Sequence, residues 1–247
     1  MAQRLKKRNK SGDKILIYEE PNVYKGLYIY LYIHETNMRN PMLVKNKKST
    51  AKQNGDDGDK SDSDNDDESK IVRENNHVYF YSEVSRESIF KLNVLLREAA
   101  RFVHTTCFDL NIKNIPVYIH INSLGGSLYD AYSTVDTIKN LRVPVYSIIE
   151  GSTASAGTLI SVICEKRFIR PNAHMLIHQL SGGCWGKMGE IEDEFKNLQD
   201  LMKKIKQVYI DNASMPRKEL NELLKHDLWL DSDKSLKYGL VDELWNN

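Results

Sequence analysis

The chain has 247 residues, 40% of them hydrophobic and 28% charged, and its 35 Lys and Arg against 34 Asp and Glu leave a formal net charge of +1. That length holds one sizeable domain with appendages. No apolar run reaches the ~20 residues of a membrane span, the polar stretch from Lys6 to Asp13 is unlike a secretory signal peptide, and neither a membrane nor a nucleic acid is expected as a partner. Cys107, Cys164 and Cys184 are widely spaced and lack metal-ligand spacing. They read as reduced thiols, so a cytoplasmic location is expected, with an organelle stroma or matrix as the alternative compartment. No metal or cofactor site is visible.

The basic start (Met1-Ala-Gln-Arg-Leu-Lys-Lys-Arg-Asn-Lys) reads as a loose cationic tail rather than a targeting sequence, unstructured to about residue 14. Lys14-Ile-Leu-Ile-Tyr and Lys25-Gly-Leu-Tyr-Ile-Tyr-Leu-Tyr-Ile-His34 are rich in β-branched and aromatic residues and predict strands, paired as a hairpin across Glu20-Pro-Asn-Val. From Lys45 to Lys70 there is almost nothing to bury, and Asp56 to Glu68 is strongly acidic, which predicts a disordered linker or loop. The division is therefore an N-terminal extension over 1–45, an acidic linker over 46–76 and a regular domain over 77–247.

Within that domain, Val78-Tyr-Phe-Tyr predicts a strand. Ile89, Leu92, Leu95, Leu96, Ala99 and Phe102 recur near helical spacing and predict a helix over 88–103. Val117 to Ile121 reads as a buried strand ending at Gly125-Gly126, and Leu128, Ala131, Val135 and Ile138 carry the next helix. A strand over 143–149, a helix starting near Ser155, and strands at Arg167-Phe-Ile and His174-Met-Leu-Ile follow. This alternation predicts an α/β fold with largely parallel strands. A long helix over 188–212, a helix from Pro216 to near His226 and a short one stopped by Gly239 complete the chain.

The chemistry centres on Gly151-Ser-Thr-Ala-Ser155-Ala-Gly157. Small residues around Ser155 let the backbone turn sharply between strand and helix and leave its Oγ uncrowded, as a nucleophile requires. A hydroxyl also needs a base and an oxyanion site. His178, at the end of a short apolar strand, is the candidate base. An exposed backbone N–H of the Gly125-Gly126 turn and that of Ala156, the residue after the nucleophile, are the candidate oxyanion donors. A third group must orient the imidazole; Asp227, Asp231, Asp233 and Asp242 are candidates, and pattern does not choose among them. The spacing is not the G-x-S-x-G elbow of α/β-hydrolases, because Thr153 holds the first glycine position.

Asn122-Ser-Leu-Gly-Gly, Gly151-Ser-Thr-Ala-Ser-Ala-Gly, Lys166-Arg-Phe-Ile-Arg-Pro-Asn, Met175-Leu-Ile-His-Gln and Tyr238-Gly-Leu-Val-Asp occur in order and at suitable intervals. With these motifs the chain resembles the ClpP family of Clp-protease proteolytic subunits over about residues 77 to 245. The resemblance implies a ClpP/crotonase-like fold of repeated ββα units with a protruding handle helix (about 180–213). It implies a serine endopeptidase that hydrolyses unfolded polypeptides inside a ring-shaped chamber, with Ser155 as nucleophile, His178 as general base and Asp227, in His226-Asp-Leu-Trp-Leu, as third member. Gly126 and Ala156 would donate to the oxyanion. Gly125 and a substrate-side strand at Gly182 and Gly183 would hold the peptide by backbone pairing. Self-association into heptameric rings and a tetradecamer is implied, with an AAA+ unfoldase of Clp type that uses ATP. The peptidase itself takes no cofactor.

The chain departs from the family pattern in places. Leu124 and Leu180 stand for prolines flanking the site, and His226 stands for an arginine that helps two rings hold each other. In the family's ATPase-docking pocket, Tyr118, Ile148 and Phe168 keep the apolar character and His120 and Asn140 do not. The alternative is a non-catalytic ring subunit partnering an active paralogue. A crotonase-type acyl-CoA enzyme has no need of Ser155 and His178, and a Ser–Lys peptidase would need a lysine base.

Overall fold

The computed structural model describes residues 6–8, 14–16, 70–113 and 115–246. Lys6–Arg8 (β1) pairs antiparallel with Lys14–Leu16 (β2). The basic head, expected to be unstructured, therefore contains a strand; ladder bonds are made by the backbone, so Lys-Lys-Arg carries no alternation that would announce one. The expected strand over 25–34, the expected turn at Glu20-Pro-Asn-Val and the acidic run from Asp56 to Glu68 lie outside the described residues.

The main sheet starts at Lys70, ahead of the expected residue 77. Lys70–Glu74 (β3) pairs antiparallel with His77–Tyr81 (β4), and Glu74 faces His77 across a two-residue turn in which Asn75 has φ 55°, as a tight hairpin turn demands. Only Ile71 of β3 is buried, so this edge strand has no apolar pattern to read. From β4 onward the sheet is parallel. Val117–Ser123 (β5), Val145–Ala154 (β6), Lys166–Ile169 (β7) and Glu243–Leu244 (β9) follow in spatial order, and His174–Leu176 (β8) also pairs with β6.

Arg86–Asp109 (α1), Leu128–Asn140 (α2) and Ala156–Val162 (α3) form a layer with one face of this sheet. Ser85 opens α1 with a capping box: its Oγ accepts from Ser88 N at 3.3 Å while its own N–H donates to Ser88 Oγ at 2.9 Å. Ile89, Leu92, Leu96, Ala99 and Val103 of α1 are buried in one core with Val78, Phe80, Ile119, Ile121 and Ile149 of the strands. The helix outruns its expected end at 103 by continuing to Asp109 with exposed and half-buried residues, and Phe102, expected on the apolar stripe, lies 38% exposed beside it.

A change of partner along β6 positions the site. Its first half pairs with β7 (Tyr146 to Ile149) and its second half with β8 (Ser152 to Ala154). Between them Ile121 faces Ile149 but Ser123 faces Thr153, so β6 carries extra residues around Gly151, whose φ is 62°. Such a bulge bends a strand and re-aims the residues after it, here Ser155.

Met188–Asn212 (α4), Arg217–Leu223 (α5) and Ser232–Lys237 (α6) follow β8. Leu201, Ile205 and Tyr209 anchor the second half of α4, while Met188 (73%), Ile191 (39%) and Phe195 (61%) stand exposed on the first half. Arg167 on β7 gathers this end of the molecule. Its guanidinium donates to Asp242 Oδ2 at 3.0 Å, to Gly239 O at 3.0 Å and to Asn212 O, the last carbonyl of α4. These charge-assisted bonds join β7 to the ends of α4 and α6. Arg167→Ala should lower the unfolding free energy by about 2–3 kcal/mol, read as a lower urea midpoint with an unchanged slope.

Candidate functional site

Ser155 joins β6 to α3 with φ 57° and ψ −127°, a conformation that costs a residue with a Cβ free energy and persists only where the surroundings enforce it. Those surroundings are identifiable. Ser155 N donates to Leu176 O of β8 at 2.8 Å, and Ser155 O accepts from Thr158 N at 3.0 Å. Gly125 lies against the turn: a Cβ placed on it would sit 2.7 Å from Ser155 Cβ and 2.9 Å from Ala154 O. The expected sharp strand-to-helix turn at Ser155 matches this geometry, whereas its Oγ, expected to be uncrowded, is buried.

The bond from Ser155 N to Leu176 O sets the end of β8 beside the serine, and β8 leads directly to His178. The segment that carries Asp227 is tied to the same place. Met175 and Leu230 exchange two backbone hydrogen bonds at 2.8 and 2.7 Å, and Gln179 N donates to Leu224 O at 2.7 Å. These ties bring Asp227 Oδ1 to 3.5 Å from His178 Nδ1, longer than a good hydrogen bond. Of the four aspartates that pattern left open, Asp227 is the one beside the imidazole. Asp231 instead caps α6 by accepting from Lys234 N at 2.8 Å, and Asp242 holds Arg167. Asp233 lies in the first turn of α6.

Ser155 is 3% exposed and His178 6%. Ser155 Oγ and His178 Nε2 are both buried, each without a hydrogen-bond partner among the described residues. Burial pushes the His178 pKa below its ordinary value of 6.5, and the Asp227 carboxylate opposes this. The imidazole is therefore neutral at pH 7 and able to take a proton.

Gly125 and Gly126 have φ 96° and 140°, the left-handed turn their sequence predicts. Gly125, expected as a substrate contact, has its carbonyl bonded by Val84 N at 2.7 Å and its amide donating to Ser123 Oγ at 3.2 Å. Its missing side chain leaves room for Ser155. Gly126 runs beside Val84, and a side chain there would collide with Val84 O. Ala156 is buried and is the first residue of α3, where helix N–H groups have no intrahelical acceptor. Gly182 and Gly183 lie exposed in the irregular segment between β8 and α4; the strand expected there is not formed. A Cβ on Gly183 would meet nothing within 4 Å.

The side of the sheet opposite the helices holds a polar network that sequence reading missed. His77 Nδ1 and His120 Nε2 are 2.9 Å apart, His120 Nδ1 lies 3.2 Å from Glu150 Oε1, and Arg170 Nε donates to the same oxygen at 3.1 Å. Tyr81 OH also donates to Glu150. Burial alone would raise the Glu150 pKa, but hydrogen bonds from Tyr81, His120 and Arg170 outweigh it and hold the carboxyl below its ordinary range. Tyr79 stacks on His120 and His77 on Tyr118. Parallel register alone, aligning His77 with Tyr118 and His120 with Ile148 and Phe168, gathers these residues, which sequence distance conceals. Asn140, grouped with them by resemblance, ends α2 instead. Among the described residues no cluster of His, Cys, Asp and Glu suits a metal ion.

A strained serine between a parallel strand and a helix, with a neutral histidine and a carboxylate alongside, defines the serine-hydrolase class on a ClpP/crotonase-like α/β fold. The Clp protease family pattern matches residues 73–247, and the chain belongs to that family as a Clp-type serine endopeptidase subunit. It is 36% identical over 135 residues to the ATP-dependent Clp protease proteolytic subunit of Streptococcus mutans, covering 53% of this chain and 69% of that one. It is 34% identical to proteolytic subunit 2 of Treponema denticola, covering 53% and 67%. A solved ClpP1 mutant from Listeria monocytogenes matches with a TM-score of 0.60 at 27% identity, over 70% of this chain and 92% of that one.

Two outcomes are expected. Gly125→Ala forces a Cβ into Ser155 and into backbone, at a φ that side chains rarely adopt, so it should lower the melting temperature and remove peptidase activity together. The acid limb of kcat/KM should have its midpoint below pH 6.5, because lowering the pH through the depressed His178 pKa protonates the base; a pH–rate profile reads this directly.

Proposed function

We propose that this chain is the proteolytic subunit of an ATP-dependent Clp-type protease in which Ser155, His178 and Asp227 carry the reaction. His178 Nε2 takes the Ser155 proton as Oγ attacks the peptide carbonyl, and Asp227 holds the imidazole by its Nδ1 side and stabilises the imidazolium. The N–H groups of Gly126 and Ala156 receive the developing oxyanion. The imidazolium then protonates the leaving amine, and water, activated by the same base, hydrolyses the acyl-enzyme. The observation that carries this reading is the buried Ser155 in a strained turn, tied through Leu176 to the strand that delivers His178, with Asp227 at 3.5 Å from the imidazole.

Unfolded polypeptide is the substrate class, laid along the exposed Gly182-Gly183 segment. The domain, expected over residues 77–247, reaches back to the edge strand β3 at Lys70, behind an N-terminal extension (1–45) and an acidic linker that starts at residue 46. The exposed Met188, Ile191 and Phe195 of α4 support its use as a handle between heptameric rings stacked as a tetradecamer. An AAA+ unfoldase of Clp type would supply substrate and use ATP, in the cytoplasm or an organelle stroma or matrix. No helix among the described residues is long and apolar enough to cross a membrane.

That Ser155 Oγ and His178 Nε2 each lack a hydrogen-bond partner among the described residues favours a second reading, a ring subunit that is inert on its own and partners an active paralogue. A fluorophosphonate probe separates the two. In assembled rings, an adduct on Ser155 that is lost in His178→Ala supports the catalytic reading, and intact rings without an adduct support the inert one. Ser155→Ala should lower kcat by about 10⁴-fold or more with the ring still assembled.

A further inference from the structure

One hydrogen-bonded chain runs from α4 to the serine turn. Thr158 Oγ1 lies 2.6 Å from Ser155 O and 2.7 Å from Tyr209 OH. Ser155 O has no proton to give, so the single Thr158 hydroxyl proton goes to it. The Tyr209 hydroxyl must then be the donor to Thr158 Oγ1. The chain has one direction: Tyr209 O–H to Thr158 O–H to Ser155 C=O. All three residues are buried, at 3%, 0% and 3% exposure. Burial also raises the Tyr209 pKa, which keeps its proton in place.

The carbonyl at the end of this chain is half of a peptide unit. The Ser155–Ala156 peptide is trans, and a trans peptide is planar with its C=O and N–H pointing in opposite directions. Fixing the direction of Ser155 O therefore fixes the direction of Ala156 N–H. Two donors, Thr158 N at 3.0 Å and Thr158 Oγ1 at 2.6 Å, converge on that oxygen. A threonine bonding back to a carbonyl in the preceding turn is common by itself. Here a second element, α4, locks the threonine, and the peptide it holds belongs to a residue at positive φ.

We propose that Thr158 and Tyr209 are positioning residues that aim the Ala156 N–H at the oxyanion, so that the seating of α4 on α3 tunes the catalytic rate. The inference rests on the reading of Ser155 and Ala156 given above. Neither residue touches the substrate; both act through the Ser155–Ala156 peptide plane.

The test uses the full assembled protein with a fluorogenic peptide and with a peptide aldehyde, whose tetrahedral adduct places an oxygen where the oxyanion forms. Thr158→Val keeps the shape and removes the hydroxyl. It should lower kcat about tenfold with KM within about twofold, and weaken aldehyde inhibition by the same factor as kcat. Thr158→Ser should restore both. Tyr209→Phe, the second variant if Thr158→Val does not assemble, should lower kcat about threefold, and Tyr209→Phe with Thr158→Val should lose no more than Thr158→Val alone. A wild-type kcat and aldehyde affinity in both single variants, or losses that follow melting temperature or ring assembly while kcat per assembled ring is unchanged, would overturn the proposal. Fluorophosphonate labelling of the wild type separates its failure from that of the underlying reading. An adduct on Ser155 with unimpaired variants sinks this inference alone, and no adduct sinks both.

Discussion

The turn at Ser155 is the constraint on which the rest of the structure depends. A side-chain-bearing residue at φ 57° and ψ −127° is unfavourable in isolation, and several independent contacts hold it. Leu176 O takes its amide, Thr158 takes its carbonyl, and the missing side chain of Gly125 leaves room for its Cβ. Each contact comes from a different part of the chain, so the strain can be maintained only when the sheet, β8 and α3 are all in place. The result is a serine held in a strained turn at the end of a strand.

That arrangement depends in turn on β6 serving two partners. A strand that kept β7 throughout would deliver Ser155 in line with the sheet, with His178 elsewhere. The bulge around Gly151 transfers the pairing to β8, and β8 carries the histidine. The bonds from Met175 to Leu230 and from Gln179 to Leu224 then draw in the segment of Asp227. Backbone ladders thus place Ser155, His178 and Asp227, which come from separate parts of the chain. His178 Nε2 and Ser155 Oγ are both buried, each without a hydrogen-bond partner among the described residues; catalytic hydrogen bonds often tighten only on binding substrate.

Away from the site, the molecule presents two surfaces of different chemistry. The first half of α4 exposes the large apolar side chains Met188, Ile191 and Phe195, a cluster of the kind that marks an interaction surface. The outer face of the sheet pairs stacked aromatics with the histidine–glutamate–arginine network, in which charge is balanced internally at Glu150. An apolar partner loop would meet hydrogen-bonded polar groups there, which are costly to cover unless their bonds are kept.

Much of this was legible in the chain. Apolar spacing marked the central helices and strands because burial on one face leaves a 3.6- or two-residue period, and α4 was read at its observed limits. The turns at Ser155 and at Gly125-Gly126 were legible because a sharp turn restricts which residues can occupy it. Strands β1 and β3 were hidden, since an edge ladder is made by backbone groups and buries almost no side chain. The choice of Asp227 over Asp231, Asp233 and Asp242 was equally invisible to pattern; all four are acidic residues near loop or helix ends, and a backbone ladder far along the chain brings one of them to the imidazole. The Tyr209–Thr158–Ser155 chain and the Glu150 network belong to the same category. Local sequence carries the preferences of single turns and faces, whereas the partners of a buried polar group are set by which distant elements pack together.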